Sequence, residues 1–259
     1  MQKILQKLSE LKNSNQPGLM THVVAGYPNL MDTKKLVLAM AKAGADFVEI
    51  QIPFSDPIAD GPVILSANQK ALDQKIKVAD SFKLMRELSA QLPETPLLFM
   101  TYFNLLFHHG VEKFCHEATL AGASGFIVPD LPVEEAGEYL TACKKYHLAP
   151  IFVAAPNTTN ARLKKIAEVA QGFLYVTART GVTGVKTELS KELKNCLKNI
   201  KSIIKLPLAV GFGIQSADQI QALRGYADIA VVGSAALRIL DQEGITGVGR
   251  FVEGLKKLT

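Results

Sequence analysis

The sequence predicts an α/β fold, because short apolar segments alternate with helical segments along all 259 residues. Eight apolar segments qualify as strands, at residues 19–26, 46–53, 96–102, 125–130, 149–155, 172–178, 206–213 and 227–235. Their nearly continuous hydrophobicity is typical of parallel strands covered by helices. Eight such units in about 250 residues match the size of a (β/α)₈ TIM barrel. The alternative is an open doubly wound sheet, but no GxGxxG sequence opens the first unit.

The segments between the predicted strands carry apolar residues at helical spacing, and several begin with a capping residue such as Ser216. An additional helix is predicted at the N-terminus, where Ile4, Leu8 and Leu11 share one face. We expect this helix to close one end of the barrel. The composition shows no break along the chain, so the sequence predicts a single domain over residues 1–259.

The composition excludes several classes of protein. The net charge is +5, but the lysine pairs are spread along predicted helices, which argues against a nucleic-acid groove. Cys115, Cys143 and Cys196 are far apart and lack CxxC spacing, so neither a disulfide framework nor a zinc site is predicted. No apolar stretch is long enough to span a bilayer. We therefore expect a soluble, cytoplasmic protein without a membrane partner.

The second predicted strand contains a carboxylate in an apolar setting. By the two-residue period of a strand, Val48, Ile50 and Ile52 share one face, and Glu49 and Gln51 share the other. If the branched residues contact the helices, Glu49 points into the barrel. A buried carboxylate needs a partner or a task. Glu49 is thus either satisfied by backbone donors or an arginine, or a general acid/base whose pKa burial raises toward neutrality.

The loop after this strand contains two aspartates between prolines. Pro53, Pro57 and Pro62 restrict the backbone of the loop. We expect Asp60 to return over the pocket and to have a functional role. For Asp56, a role as a turn former and a functional role are equally compatible with the sequence.

Glycine-rich segments follow the last two predicted strands, at residues 211–216 and 233–236. Exposed backbone N–H groups and a helix N-terminus at these positions form the usual phosphate site of a TIM barrel. Each glycine run alone is also compatible with a simple tight turn. The loop at residues 178–184 is either a lid over the substrate or a flexible connection.

Other chemistries lack the residues they need. No predicted strand end carries a lysine for a Schiff base. His22 stands alone, and His108 and His109 lie in a predicted loop with only Glu112 nearby, so a metal site is not expected. Acid/base chemistry by carboxylates on a phosphate ester remains, without a cofactor.

Five segments carry a resemblance to a known family: VEIQIPFSDPIADGP (48–62), FIVPDLPVEE (126–135), GFLYVTARTGVTG (172–184), AVGFGI (209–214) and VVGSA (231–235). Together they resemble the tryptophan synthase alpha chain. The first and third are specific, whereas the glycine runs occur in many phosphate-binding barrels. The resemblance extends over the full length of the chain.

The resemblance implies a lyase of tryptophan biosynthesis that cleaves indole-3-glycerol phosphate into indole and glyceraldehyde 3-phosphate by a retro-aldol reaction. It implies that Glu49 donates a proton to the indole carbon, or takes one from the adjacent glycerol hydroxyl, or does both. Asp60 is implied to accept the hydrogen bond of the indole N–H. The implied phosphate ligands are Gly184, Gly213, Gly233 and Ser234. Thr183 is implied in the lid, and the implied pocket walls are Tyr175, Phe212, Tyr102 and Met100.

The resemblance also implies a partner, a beta chain that carries pyridoxal phosphate, usually in an α₂β₂ assembly. The loops around Asp56 and Pro132 are the implied contact surfaces. Two residues depart from the family pattern. Gln51 stands where the family usually has glycine, and His22 stands where an apolar aromatic residue is common. Either is expected to hydrogen-bond Glu49 or to narrow the pocket.

Two other functions are compatible with the sequence. The chain could act mainly as a regulatory partner that binds phosphate ligands with little turnover, a possibility that Gln51 keeps open. It could also be another phosphosugar barrel, such as an isomerase or an epimerase. Glu49 followed by the whole loop at residues 53–62 argues against the latter.

Overall fold

The structure is a computed structural model that describes residues 1–14, 16–177, 190–211 and 213–257. The strands are β1 (Gly18–Val24), β2 (Phe47–Gln51), β3 (Leu97–Met100), β4 (Gly125–Ile127), β5 (Ala149–Ile151), β6 (Val153–Ala154), β7 (Leu174–Thr177), β8 (Leu208–Gly211) and β9 (Ile229–Val232).

The helices alternate with these strands. They are α1 (Gln2–Ser14), α2 (Leu30–Lys42), α3 (Pro62–Asp73), α4 (Val78–Gln91), α5 (Phe103–His109), α6 (Val111–Leu120), α7 (Gly137–Lys145), α8 (Asn160–Val169), α9 (Lys191–Ile203), α10 (Ala217–Gln221) and α11 (Ser234–Lys256). A short 3₁₀ helix covers Val133–Glu135, and α11 is interrupted at Gly244, whose φ is 67°.

The strands form a parallel barrel that confirms the predicted fold class. Their order is β5-β4-β3-β2-β1-β9-β8-β7-β6. Only Phe152 separates β5 from β6, and the two together occupy the predicted strand at residues 149–155. Because β5 pairs with β4 and β6 pairs with β7, this one segment joins both edges of the sheet. The barrel thus has eight strand positions.

The two faces of β2 face different surroundings, as predicted. Val48, Ile50 and Ile52 belong to the hydrophobic layer between the barrel and its helices. Phe47 belongs to a second hydrophobic cluster inside the barrel, and its ring lies edge-on against Phe173 at 6.0 Å. The side chain of Glu49 follows the parity of Phe47 and therefore enters the barrel interior.

Helix α1 lies against the N-terminal ends of the strands, as predicted. The amino group of Met1 donates to the carbonyl oxygen of His147, just before β5. Ile4 is fully buried, and it lies beside Gly172, just before β7. This arrangement leaves the opposite end of the barrel for the site. None of the described helices is both long and apolar enough to cross a membrane.

Ile4→Ala should lower the free energy of unfolding by about 2–5 kcal/mol, because it removes a fully buried side chain from the closed barrel end. Leu5→Ala is the matched control, since Leu5 is 51% exposed and its truncation should change the value by less than about 0.5 kcal/mol. Urea denaturation measures both. Equal losses for the two variants would show that α1 does not close the barrel as described.

Candidate active site

Glu49 forms a buried pair with His22 inside the barrel. The two residues are direct neighbours in the register of β1 and β2, and both are almost fully buried. His22 Nδ1 lies 2.9 Å from Glu49 Oε1. Among the described residues, Glu49 Oε2 and His22 Nε2 have no hydrogen-bond partner. One oxygen of the carboxylate is therefore held by protein, and the other is left for a ligand.

The charge of this pair is set by opposing effects on the imidazole. Burial acts to lower the pKa of His22, because it disfavours the charged ring. The charge and hydrogen bond of Glu49, the charge of Asp60 and the side chain of Gln51 outweigh burial, so the pKa of His22 is raised. The ring is thus biased toward an imidazolium that donates from Nδ1 to Glu49. Of the two departures from the family pattern, His22 makes the hydrogen bond to Glu49.

Asp60 returns over the barrel interior, as the sequence predicts. It is 4% exposed, although it lies in the loop between β2 and α3. Gln51 Nε2 donates to Asp60 Oδ2 at 2.6 Å, and the Tyr102 hydroxyl donates to the same oxygen at 3.2 Å. The backbone N–H of Ala59 donates to the Tyr102 hydroxyl at 3.0 Å. Gln51 is therefore a positioning group for Asp60.

Burial raises the pKa of Asp60, because the charged carboxylate loses hydration. The charge of His22 and the hydrogen bonds from Gln51 and Tyr102 offset only part of this effect. The same surroundings raise the pKa of Tyr102, through burial first and then the negative charge of Asp60. Tyr102 therefore remains a neutral hydrogen-bond donor to Asp60.

Asn68 holds the start of the loop and was not identified from the sequence. Its Oδ1 accepts the backbone N–H of Phe54 at 3.1 Å, and its Nδ2 donates to the Ile64 carbonyl at 2.9 Å. Phe54 was also missed, and its ring stacks on Tyr102 with centroids 5.2 Å apart. The position of Phe54 directly after Pro53, at a strand end, is the signal that could have identified it. Asn68 lies within α3, and nothing in its local sequence points to this contact.

The predicted pocket walls in the described part of the chain all belong to the barrel interior. Met100 and Tyr102 belong to the interior cluster, with Tyr175 packed against it. A Cβ at Gly211 would lie 3.0 Å from the Tyr175 hydroxyl, so glycine provides room for that side chain. Burial and the charges of Glu49 and Asp60 raise the pKa of Tyr175, which keeps its hydroxyl neutral.

Two backbone segments remain available to hold an anion. Gly213 has a φ of 78°, a conformation that favours glycine. Gly233 and Ser234 form the start of α11, where the first N–H groups have no partner within the helix. Helix α10 is less suitable, because Gln219 Oε1 accepts the N–H groups of Gln215 and Ser216. Three predicted residues lie outside the described residues: Thr183, Gly184 and Phe212.

The prediction for His108 and His109 needs correction, because both residues lie at the end of helix α5 and not in a loop. Leu106 is fully buried on this helix, whereas Phe107 is 68% exposed. His109 Nε2 contacts Glu117 Oε2 at 3.0 Å, so its partner is not Glu112. Within the ranges that the structure describes, no three His, Cys, Asp or Glu side chains are grouped to hold a metal ion.

Comparisons with known proteins agree on one family. Residues 8–254 match the model of the family described as tryptophan synthase alpha chain. The tryptophan synthase alpha chain of Syntrophotalea carbinolica is 49% identical over 92% of this chain and 94% of that protein. The alpha chain of Desulfotalea psychrophila is 46% identical over 96% of this chain and 98% of that protein.

Solved structures share the whole fold. A structure from Aquifex aeolicus superimposes with a TM-score of 0.92 at 36% identity, covering 99% of this chain and 98% of that one. The tryptophan synthase subunit alpha of Legionella pneumophila gives 0.91 at 32% identity, covering 99% and 97% of the two chains. Tryptophan synthase from M. tuberculosis gives 0.92 at 29% identity, covering 98% and 97%.

Gln51→Ala should raise the pKa of Asp60 further, because it removes a donor that favours the charged carboxylate. The carboxyl ¹³C shift of Asp60, followed by NMR against pH, measures this change. Gln69→Ala is the control, since Gln69 bonds Asp73 on an exposed face of α3 and should leave Asp60 unchanged. A pKa of Asp60 that is unchanged or lower in Gln51→Ala would refute the assigned contact.

Proposed function

The chain belongs to the tryptophan synthase alpha chain family, and on that premise we propose how the mouth of its barrel performs the reaction. The protein is a lyase of tryptophan biosynthesis that cleaves indole-3-glycerol phosphate to indole and glyceraldehyde 3-phosphate. It needs no cofactor of its own, and pyridoxal phosphate belongs to the beta chain. The observation that carries the site assignment is the convergence of Glu49 and Asp60 inside the barrel, each with one oxygen held by a neighbouring side chain.

The reaction requires one proton at the ring and the loss of another from the side chain. Protonation of indole C3 places a positive charge on the ring, centred near its nitrogen. Removal of the proton from the adjacent glycerol hydroxyl lets its oxygen form the aldehyde carbonyl. The bond between C3 and that carbon then breaks, and its electron pair restores the aromatic indole.

Glu49 is the group proposed to exchange a proton with the substrate, at C3, at the hydroxyl or at both. Its Oε2 is buried and has no partner within the described residues. A buried group with an unengaged oxygen is well suited to acid/base work, because water does not compete for the proton.

Asp60 is proposed to accept the hydrogen bond of the indole N–H. A carboxylate fixed before the reaction stabilises the positive charge that develops on the ring, and it does so without reorganisation. Gln51 and Tyr102 supply this fixation. Tyr175 and Met100 are proposed to pack against the bicyclic ring, together with Phe212.

The phosphate group is proposed to bind the backbone at Gly213, Gly233 and Ser234, with Gly184 as a further ligand from the sequence segment that also contains Thr183. The positive φ of Gly213 and the start of α11, where Gly233 provides no side-chain cap, support this location. Both segments follow the carboxyl ends of barrel strands, as the loop containing Asp60 does, so one extended substrate can reach the phosphate site and the two carboxylates.

The partner is the beta chain of tryptophan synthase, in the α₂β₂ assembly of the family. We propose that the beta chain contacts the loops around Asp56 and Pro132. Asp56 is exposed, and neighbouring Ile58 is the most exposed large apolar side chain among the described residues, at 76%. The carboxylate of Asp130 accepts the N–H of Phe103, which ties the loop before Pro132 to α5.

A cytoplasmic location is also proposed. It is supported by membership of a family of biosynthetic enzymes and by the state of the cysteines, which are all free thiols. Cys115 and Cys143 are buried as thiols, a state that a reducing compartment maintains.

Asp60→Asn should lower kcat for indole release by about 10²–10³, as the loss of one preorganised charge-stabilising group does in other enzymes. The fold should remain intact by circular dichroism. Asp73→Asn, on the exposed face of α3, is the control and should retain normal turnover. Near-normal turnover by Asp60→Asn would overturn the role of Asp60. Indole release by neither the isolated wild-type chain nor its complex would instead favour the regulatory function.

Asp56→Ala and Ile58→Ala should each weaken binding of the beta chain by about tenfold or more, because centrally buried contacts commonly contribute this much. Leu120→Ala is the control, since Leu120 is 62% exposed at the end of α6 and lies outside the proposed surface. Isothermal titration calorimetry measures the affinities. Unchanged affinity for both loop variants would exclude this loop from the interface.

A further inference from the structure

The His22–Glu49 pair contains more than the reaction requires of a carboxylate. Histidine at position 22 leaves its own Nε2 without a partner among the described residues, whereas an apolar ring would leave no such polar atom. The chain nevertheless places histidine directly beside the proposed catalytic group. Both side chains are at most 5% exposed, and their contact distance is 2.9 Å. A buried charged hydrogen bond of this kind fixes geometry, because breaking it leaves two unpaired polar groups.

The contact distinguishes the two oxygens of Glu49. Oε1 accepts from His22, whereas Oε2 has no partner within the described residues. Rotation of the carboxylate about its terminal bond would exchange the two oxygens, but only by breaking the bond to Nδ1. The Glu49 side chain is therefore held with Oε1 anchored to His22 and with Oε2 left to exchange a proton.

On the proposed function, we propose that His22 is a positioning residue for Glu49: its Nδ1–H anchors Oε1, reserves Oε2 for the substrate, and its positive charge stabilises the carboxylate form. Glu49 is thereby held with Oε2 as the oxygen that exchanges a proton with the substrate. His22 itself does not touch the substrate in this account. Its influence on the reaction passes through Glu49 alone.

The groups that face His22 determine how the His22–Glu49 hydrogen bond depends on pH. Among the described residues, Glu49 faces the ring from β2 and Asp60 from the following loop, and Gln51 favours the protonated ring. The hydroxyls of Tyr102 and Tyr175 stay neutral because their pKa values are raised.

The direction of the pH effect follows from the raised pKa of His22. Below that pKa the imidazolium is present, and its Nδ1–H anchors Oε1 of Glu49. As pH rises through it, the positive charge is lost and the carboxylate loses its stabilising partner. The turnover rate should therefore fall as pH rises above the pKa of His22, and deprotonation of His22 should cause this fall.

The kinetic test compares His22→Phe and His22→Gln with the wild-type chain over a range of pH. His22→Phe removes both the hydrogen bond and the charge, so kcat should fall about tenfold to a hundredfold, the equivalent of one hydrogen bond to a charged group. KM should change little, and the alkaline fall should disappear. His22→Gln keeps a donor without a charge, so it should recover part of kcat but not the alkaline fall. An unchanged kcat and pH profile in both variants would refute the proposal.

A second test does not depend on turnover or on the folding of these variants. Imidazole ¹⁵N shifts of the wild-type chain report the titration of His22, which is the only buried histidine among the five in the sequence. Glu49→Gln should lower the pKa of His22, since it removes the facing charge. A pKa of His22 that Glu49→Gln leaves unchanged would refute the pairing. Absence of indole release by the wild-type chain would instead refute the proposed function and leave this titration as evidence on the pair.

Discussion

The constraint on which the site depends is the burial of Glu49 inside an otherwise apolar strand. A lone buried carboxylate is unfavourable by several kcal/mol. The chain offsets this with His22, the register neighbour of Glu49 on the adjacent strand, whose Nδ1 binds Oε1. Because the stabilisation uses only one oxygen, the other remains available for chemistry. The same hydrogen bond therefore stabilises the buried carboxylate and, on the proposed function, leaves Oε2 free to exchange a proton.

Closure of the barrel makes this arrangement possible. Strands β5 and β6, separated only by Phe152, act as one strand that pairs with β4 and with β7. This closure brings Tyr175 on β7 into the same barrel interior as Glu49 on β2. Helix α1 seals the opposite end with Ile4. Water and substrate therefore approach from the mouth, where the loop containing Asp60 and the start of α11 lie. Glu49, the proposed acid/base group, is buried, whereas the proposed phosphate site lies at the rim of the barrel.

The sequence predicted the features of the site that depend on local patterns along the chain. The inward direction of Glu49 followed from the two-residue period of β2, and the return of Asp60 followed from a proline-restricted loop. The His22–Glu49 bond was only one of two possibilities, because it depends on the register between β1 and β2, which no local pattern determines. Asn68 was missed for the same reason: its partner Phe54 lies fourteen positions earlier along the chain. The histidines at the end of α5 were misassigned because a seven-residue helix has too few turns for a clear period.

The anchored Oε1 and the reactive Oε2 of Glu49 can be tested together by a crystal structure with a non-cleavable analogue of indole-3-glycerol phosphate. We expect Glu49 Oε2 within hydrogen-bond distance of the reacting hydroxyl or in contact with indole C3, while Nδ1 of His22 remains on Oε1. We also expect the carboxylate of Asp60 on the indole N–H. An analogue bound with its ring away from Glu49, or a carboxylate with both oxygens bound to protein groups, would contradict this arrangement.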